Sequence, residues 1–140
     1  MAGDLAGAIQ LYQASIAATP TAEAHTFLGW VYSFQRRYED AIAECKRAIA
    51  VDPGFGNPYN DIGCYLMELG REDEAIPWLE RAMQAPRYEA PHFPHVNLAR
   101  IYEQKGQVLE AVAQYGRALE KLPGYAPALV GLRRVQGRVN

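Results

Sequence analysis

The sequence predicts an all-α fold, a solenoid of antiparallel helix pairs, and three observations carry that prediction. An alanine frame recurs: Ala8 in "GDLAGAIQLYQASIAATP", Ala41 in "YEDAIAECKRAIAVDP", Ala75 in "DEAIPWLERAMQAP" and Ala111 in "LEAVAQYGRALEKLP", at offsets of 33, 34 and 36 residues. Upstream of three of these alanines stands a second segment, "HTFLGWVY", "YNDIGCYL" and "HVNLARIY". In each, an apolar residue (Leu28, Ile62, Leu98) precedes a small one (Gly29, Gly63, Ala99), and a large one follows three later (Tyr32, Leu66, Tyr102). Between the two segments of each unit lies a short break, "QRR", "LGR" or "KGQ".

Apolar residues at helical spacing make each segment an amphipathic helix. Eight helices follow, over 3–18, 22–35, 38–51, 56–69, 72–84, 91–104, 107–120 and 126–137. Gly70 and Gly106 suit the ends of first helices, where a positive φ is wanted. Pro53 and Pro123 close two units. Gly29, Gly63 and Ala99 let the second helix of a pair approach, and Ala41, Ala75 and Ala111 do the same from the other side. No unit buries its apolar face alone, so stacking supplies the core. The joint "APRYEAPHFPH" is longer than the other joints and holds Pro86, Pro91 and Pro94, which predicts an altered stacking angle there. Pro77 falls inside a helix and predicts a kink.

The pattern resembles the tetratricopeptide repeat, with a period of 34 and the signature W-x2-L-G-x2-Y, A-x3-F, A and P. Three complete units fit, at 22–55, 56–89 and 92–125, after a half-unit at 3–20 and before a capping helix at 126–137 with Leu129, Leu132 and Val135 inward. The leading aromatic slot holds His25, Tyr59 and His95; the A-x3-F slot holds Cys45, Leu79 and Tyr115; the next alanine is Ala48, Ala82 and Ala118. The resemblance implies a right-handed α-solenoid, a single array over residues 1–140. The chain starts on a second helix, so the first helix of that pair is absent.

The chain has 140 residues, 49% hydrophobic and 21% charged, with a net charge of −2. That composition supports a folded core and offers no positive field for nucleic acid. The charge is uneven. Residues 1–99 hold 7 basic and 13 acidic side chains, and residues 100–140 hold 7 and 3. No apolar run reaches the roughly 20 residues that span a bilayer, and "MAGDLAGAIQ" has no signal-peptide pattern. Cys45 and Cys64 are too few for a disulfide scaffold and lack zinc spacing, and each is expected on a different face. A cytoplasmic location is the expectation.

No residue set asks for catalysis. Glu89, His92 and His95 stand three apart, as metal ligands could, but His25 and His95 fill one repeat slot, which reads as packing. Cys64 has no paired histidine. Acidic residues cluster at helix starts, as in "REDEAI", where the dipole favours them. No phosphate loop or G-x-S-x-G elbow occurs. The expectation is a protein that is not an enzyme and takes no cofactor or metal.

What the resemblance implies is a concave groove lined by first helices, for a protein or peptide ligand. The family's contact positions fall on Glu23, Thr26, Trp30, Ser33 and Phe34 in the first unit. They fall on Asn57, Asn60, Cys64, Met67 and Glu68 in the second. In the third they are Phe93, Val96, Arg100, Glu103 and Gln104, and the capping helix adds Arg134 and Arg138. Trp30 and Phe34, four apart and off the core stripe, are candidate apolar anchors. Arg100, Arg134 and Arg138 would face acidic residues of a partner. The family's carboxylate clamp for heat-shock chaperone C-termini would need five matching residues. Thr26, Trp30, Asp61, Phe93 and Asn97 stand there and none matches, so that partner is not expected. A regulatory or docking fragment of a larger enzyme and a self-assembling array are the alternative functions.

Overall fold

The structure, a computed structural model, describes residues 2–139, with side chains from residue 4 onward. Eight helices run in order among the described residues: α1 (Ala2–Ala18), α2 (Ala22–Phe34), α3 (Tyr38–Val51), α4 (Asn57–Glu68), α5 (Glu72–Gln84), α6 (His92–Gln104), α7 (Val108–Lys121) and α8 (Ala126–Val139). Their bounds match the expected ones to within two residues, and the chain is all-α. Two compact units divide it, Met1–Tyr88 and Glu89–Asn140. The division falls inside the proline-bearing joint.

In the first unit each helix packs on the next, from α1 through α5, and α2 also touches α4. The interior is the repeat pattern itself. Ala41, Cys45, Ala48, Ala75, Leu79 and Ala82 are fully buried, and Leu28 and Ile62 lie beneath them. The small residues are required. A Cβ on Gly63 would stand 2.4 Å from Leu79 Cδ2, and one on Gly29 would stand 2.9 Å from the Ala41 carbonyl oxygen. Thr21 caps α2, its hydroxyl accepting from the Ala24 N–H at 3.0 Å. α5 runs on through Pro77 and opens on Glu72, Asp73 and Glu74.

The first-to-second helix turn is built the same way three times. The N–H of Arg37, Arg71 and Gln107 donates to the carbonyl of Tyr32, Leu66 and Tyr102, at 3.1, 2.8 and 2.8 Å. The residue before each donor is left-handed: Arg36 at φ 58°, Gly70 at 73° and Gly106 at 75°. The two glycines do what their sequence positions predicted; Arg36 does it with a side chain.

The first unit closes through residues 86–88. Gly56 N–H donates to the Arg87 carbonyl and Arg87 N–H to the Gly54 carbonyl, each at 3.0 Å. The Arg87 guanidinium reaches Asp52 at 2.7 Å and Glu23 at 3.6 Å, and covers the Phe55 ring at 4.1 Å.

In the second unit α6 packs on α7, α7 on α8, and α6 also touches α8. Val96, Ala99, Ala111, Tyr115, Ala118, Ala128 and Val135 form its core. The inward face of α8 differs from the expected one. Val135 is buried and Leu132 packs beside it, but Leu129 is 37% exposed, and Ala128 and Gly131 take the inner places. The reason is steric. The Tyr115 ring fills the seam, and a Cβ on Gly131 would lie 2.3 Å from its Cζ.

Candidate protein-interaction surface

The first helices carry the expected contact residues, and their surroundings sort them. On α2, Trp30 and Phe34 are 51% and 55% exposed, with rings edge to face at 4.6 Å between centroids. They form one wall of an open pocket of about 540 Å³ between α1 and α2, whose other residues are Asp4, Leu5, Ala8, Tyr12 and Val31. Thr26 is buried and its hydroxyl donates to the Ala22 carbonyl at 2.7 Å. Glu23 is exposed. On α4, Asn57 is exposed, Cys64 and Met67 are half-buried, and Asn60 is buried with its amide 3.9 Å from Cys64 Sγ.

Beside Cys64 stands a carboxylate that the contact positions did not single out. Asp61 is half-buried, and desolvation pushes its pKa up to about 7. It raises its neighbours in turn. Burial first, then the Asp61 charge, lifts Cys45, Tyr65 and Tyr88. Tyr65 Oη is buried without a hydrogen-bond partner, and the nearby Ser33 hydroxyl, which donates to the Trp30 carbonyl, keeps a lone pair with which to accept from it. Neither cysteine is in a disulfide; Cys45 is buried and Cys64 half-buried.

In the second unit Phe93 is 41% exposed and meets the rings of His92 and Tyr125 at 4.2 and 6.0 Å. Val96 belongs to the core and is out of reach of a ligand. The arginines are less open than their spacing suggested. Glu103 accepts from Arg134 Nε at 2.6 Å, from Arg134 Nη2 at 2.9 Å and from the Tyr115 hydroxyl at 2.9 Å, and Arg138 lies 3.4 Å away. Hydrogen bonding from Arg134 holds the Glu103 carboxyl below its ordinary range. Arg100 is exposed and donates to Asn97 at 3.4 Å. The organising residue is thus Glu103; a single acidic side chain among Arg100, Arg134 and Arg138 was the signal in the sequence.

The histidines pack. One slot of the first helix meets one slot of the second in all three full repeats. His25 Nδ1 lies 2.8 Å from Glu44 Oε2, the Tyr59 ring 6.2 Å from the Trp78 ring, and His95 Nδ1 2.8 Å from Gln114 Oε1. Burial lowers the His95 pKa. Among the described residues no three His, Cys, Asp or Glu side chains gather as a metal site would.

A family model described as Tetratricopeptide repeat matches residues 2–58 and again 28–90, and a second of the same description matches 95–120. No curated protein matches the chain. Solved structures do. MamA superposes at a TM-score of 0.81 with 24% identity, over 97% of this chain and 80% of that one. Pseudomonas aeruginosa PilF gives 0.88 with 21% identity, over 97% and 62%. YrrB, described as a TPR protein with an unusual peptide-binding site, gives 0.72 with 22% identity, over 98% and 70%. At these identities the likeness is one of fold.

Proposed function

This chain belongs to the tetratricopeptide repeat family, and from that premise we propose that it is a non-catalytic scaffold in the cytoplasm that holds a polypeptide segment on the exposed faces of its first helices. The observation that carries this reading is the Trp30–Phe34 pair. Two large aromatic rings in contact with each other and half open to water are costly to leave uncovered, and such residues anchor interfaces. Met67, Cys64 and Asn57 on α4 extend that face in the first unit. In the second unit Phe93 offers an apolar contact. Arg100 offers a cation for an acidic residue of the ligand, with Arg134 and Arg138 contributing what Glu103 leaves of their charge. Thr26, Asn60 and Val96 act from beneath, by fixing the backbone on which these side chains stand.

The test is affinity capture with the wild-type chain beside Trp30→Ala and Met67→Asp. Trp30→Ala is expected to lose the captured partner while helical content and Tm stay within a few degrees. Equal capture by all three proteins overturns the reading. A large fall in Tm for Trp30→Ala would make Trp30 a packing residue instead.

A further inference from the structure

The second helices of the first two repeats leave a trough between them. α3 and α5 each pack on α4, and no close backbone contact joins them to each other. Their facing stripes share one spacing: Glu39, Ile42 and Lys46 on α3, and Arg71, Glu74 and Trp78 at the start of α5 and along it. Ile62 and Leu66 of α4, both buried, form the floor of a pocket of about 100 Å³. By helical spacing they stand on the other side of α4 from Asn57, Cys64 and Met67.

The two ends of the trough differ. At one end Arg71 straps the helices together, reaching Glu39 of α3 at 2.9 Å and bonding twice to Glu74. Both carboxylates are thereby engaged. At the other end, two turns or about 10 Å along each helix, the exposed Lys46 ammonium lies 5.8 Å from the centre of the Trp78 ring. Arg81 lies over the same ring at 4.8 Å and over the Tyr59 ring at 4.9 Å, so Trp78 is held in place as a wall. Residues 1–88 carry 12 acidic and 7 basic side chains. Arg37, Arg47, Arg71 and Arg87 each pair with a carboxylate. Among the described residues Lys46 and Arg81 pair with none, in a unit where acids outnumber bases. The unanswered charge at the pocket mouth is positive, so the occupant brings an anion. A bare anion meets Lys46 alone, whereas a carboxylate on a methylene stem also covers Ile42 and the Trp78 ring. A cavity of about 150 Å³ admits benzene, so this smaller one has room for a single side chain and not for a helix.

We propose that the pocket between α3 and α5 receives a glutamate side chain of a partner polypeptide, with its carboxylate on Lys46 and its methylenes between Ile42 and Trp78. That the ligand is a polypeptide rests on the scaffold reading above. The place of the site does not, because it lies on the opposite side of α4 from the face proposed there and shares no residue with it.

Trp78 is the reporter, since it is the one tryptophan left in a Trp30→Phe protein. The probe is the acetylated and amidated peptide Gly-Gly-Glu-Glu-Leu-Glu-Glu-Gly, which has no aromatic residue. Titration is expected to change Trp78 emission saturably, with a Kd of about 1 mM or tighter. Lys46→Gln weakens binding about three- to tenfold, and Lys46→Arg stays within about twofold of the parent. At so exposed a position both keep the Tm. Raising the salt to about 0.5 M weakens binding as well, and the peptide with Gln for every Glu does not bind. No saturation at about 10 mM peptide, or equal binding by Lys46→Gln or by the Gln peptide, overturns the proposal. So does an equal response to sodium acetate, which makes the pocket a site for free anions. Sedimentation of the protein alone is the last arm: dimers that Lys46→Gln dissolves give the pocket to a second copy and refute the partner. The two readings fail separately. Affinity capture that Trp30→Ala leaves intact sinks the concave face alone, and an unresponsive Trp78 beside capture that Trp30→Ala abolishes sinks the pocket alone.

Discussion

Asp61 and Glu103 are half-buried carboxylates on the first helices of the two units, and their surroundings push them in opposite directions. Asp61 is desolvated beside Cys45, Cys64, Tyr65 and Tyr88, with no cation among the groups that move its pKa. Glu103 is gripped by Arg134 and Arg138 and by the Tyr115 hydroxyl. The same helix class therefore presents an apolar wall with one strained acid in one unit and a self-neutralised charge cluster in the other. A repeat prescribes where a side chain stands; its neighbours across the seam set its chemistry.

The comparison breaks most readily at the small residues. Gly63 faces Leu79, whereas Ala99, its counterpart in the second unit, has a methyl in the same place. Gly63→Leu is expected to cost about 3 kcal/mol or more, because Leu79 cannot yield to a whole side chain. An unchanged thermal transition would contradict the register.

The two carboxylates give opposite pH signatures. With a folded value near 7 against an unfolded value of about 4, Asp61 holds a proton in the folded chain that the unfolded chain has lost. Stability falls as pH rises across that window. Asp61→Asn is thus expected to stabilise the protein at pH 8 by about 1–3 kcal/mol, with the gain fading toward pH 4. Glu103 has a depressed value, so its contribution is full above about pH 4.5 and is lost as pH falls below that. Glu103→Gln is expected to cost about 1–2 kcal/mol at pH 7, and less in strong acid, by chemical denaturation. Parallel pH profiles for the two variants would erase the contrast.

The smallest expected effect lies in the turns. Arg36 has φ 58° where the second unit has Gly106 at 75°. Arg36→Gly should therefore gain about 1 kcal/mol, read as a rise in denaturation midpoint, from relief of the left-handed strain. A loss would mean that the Arg36 side chain makes a contact worth more than that strain.

Much of this architecture is legible in the residues. The alanine frame, the small residues before each tyrosine or leucine, and Gly70 and Gly106 placed all eight helices and their turns, because helix period and glycine conformation are local properties. The inner face of α8 was not legible. Leu129 looked like a core residue by its spacing, but the Tyr115 ring left room only for Ala128 and Gly131. Arg134 and Arg138 read as open cations until Glu103, 31 and 35 residues earlier, came within reach of both. Thr26 and Asn60 fell on contact positions and turned out to be buried.

The sequence by itself determined the helices, their pairing and the rule that small must meet large, since each depends on neighbours a few residues away or one period apart. Only the tertiary structure decided which charges are spent inside the protein, which aromatic rings stay wet and which groove stays open. Those outcomes depend on what lies across a seam, and a side chain meets that neighbour only once the helices have packed.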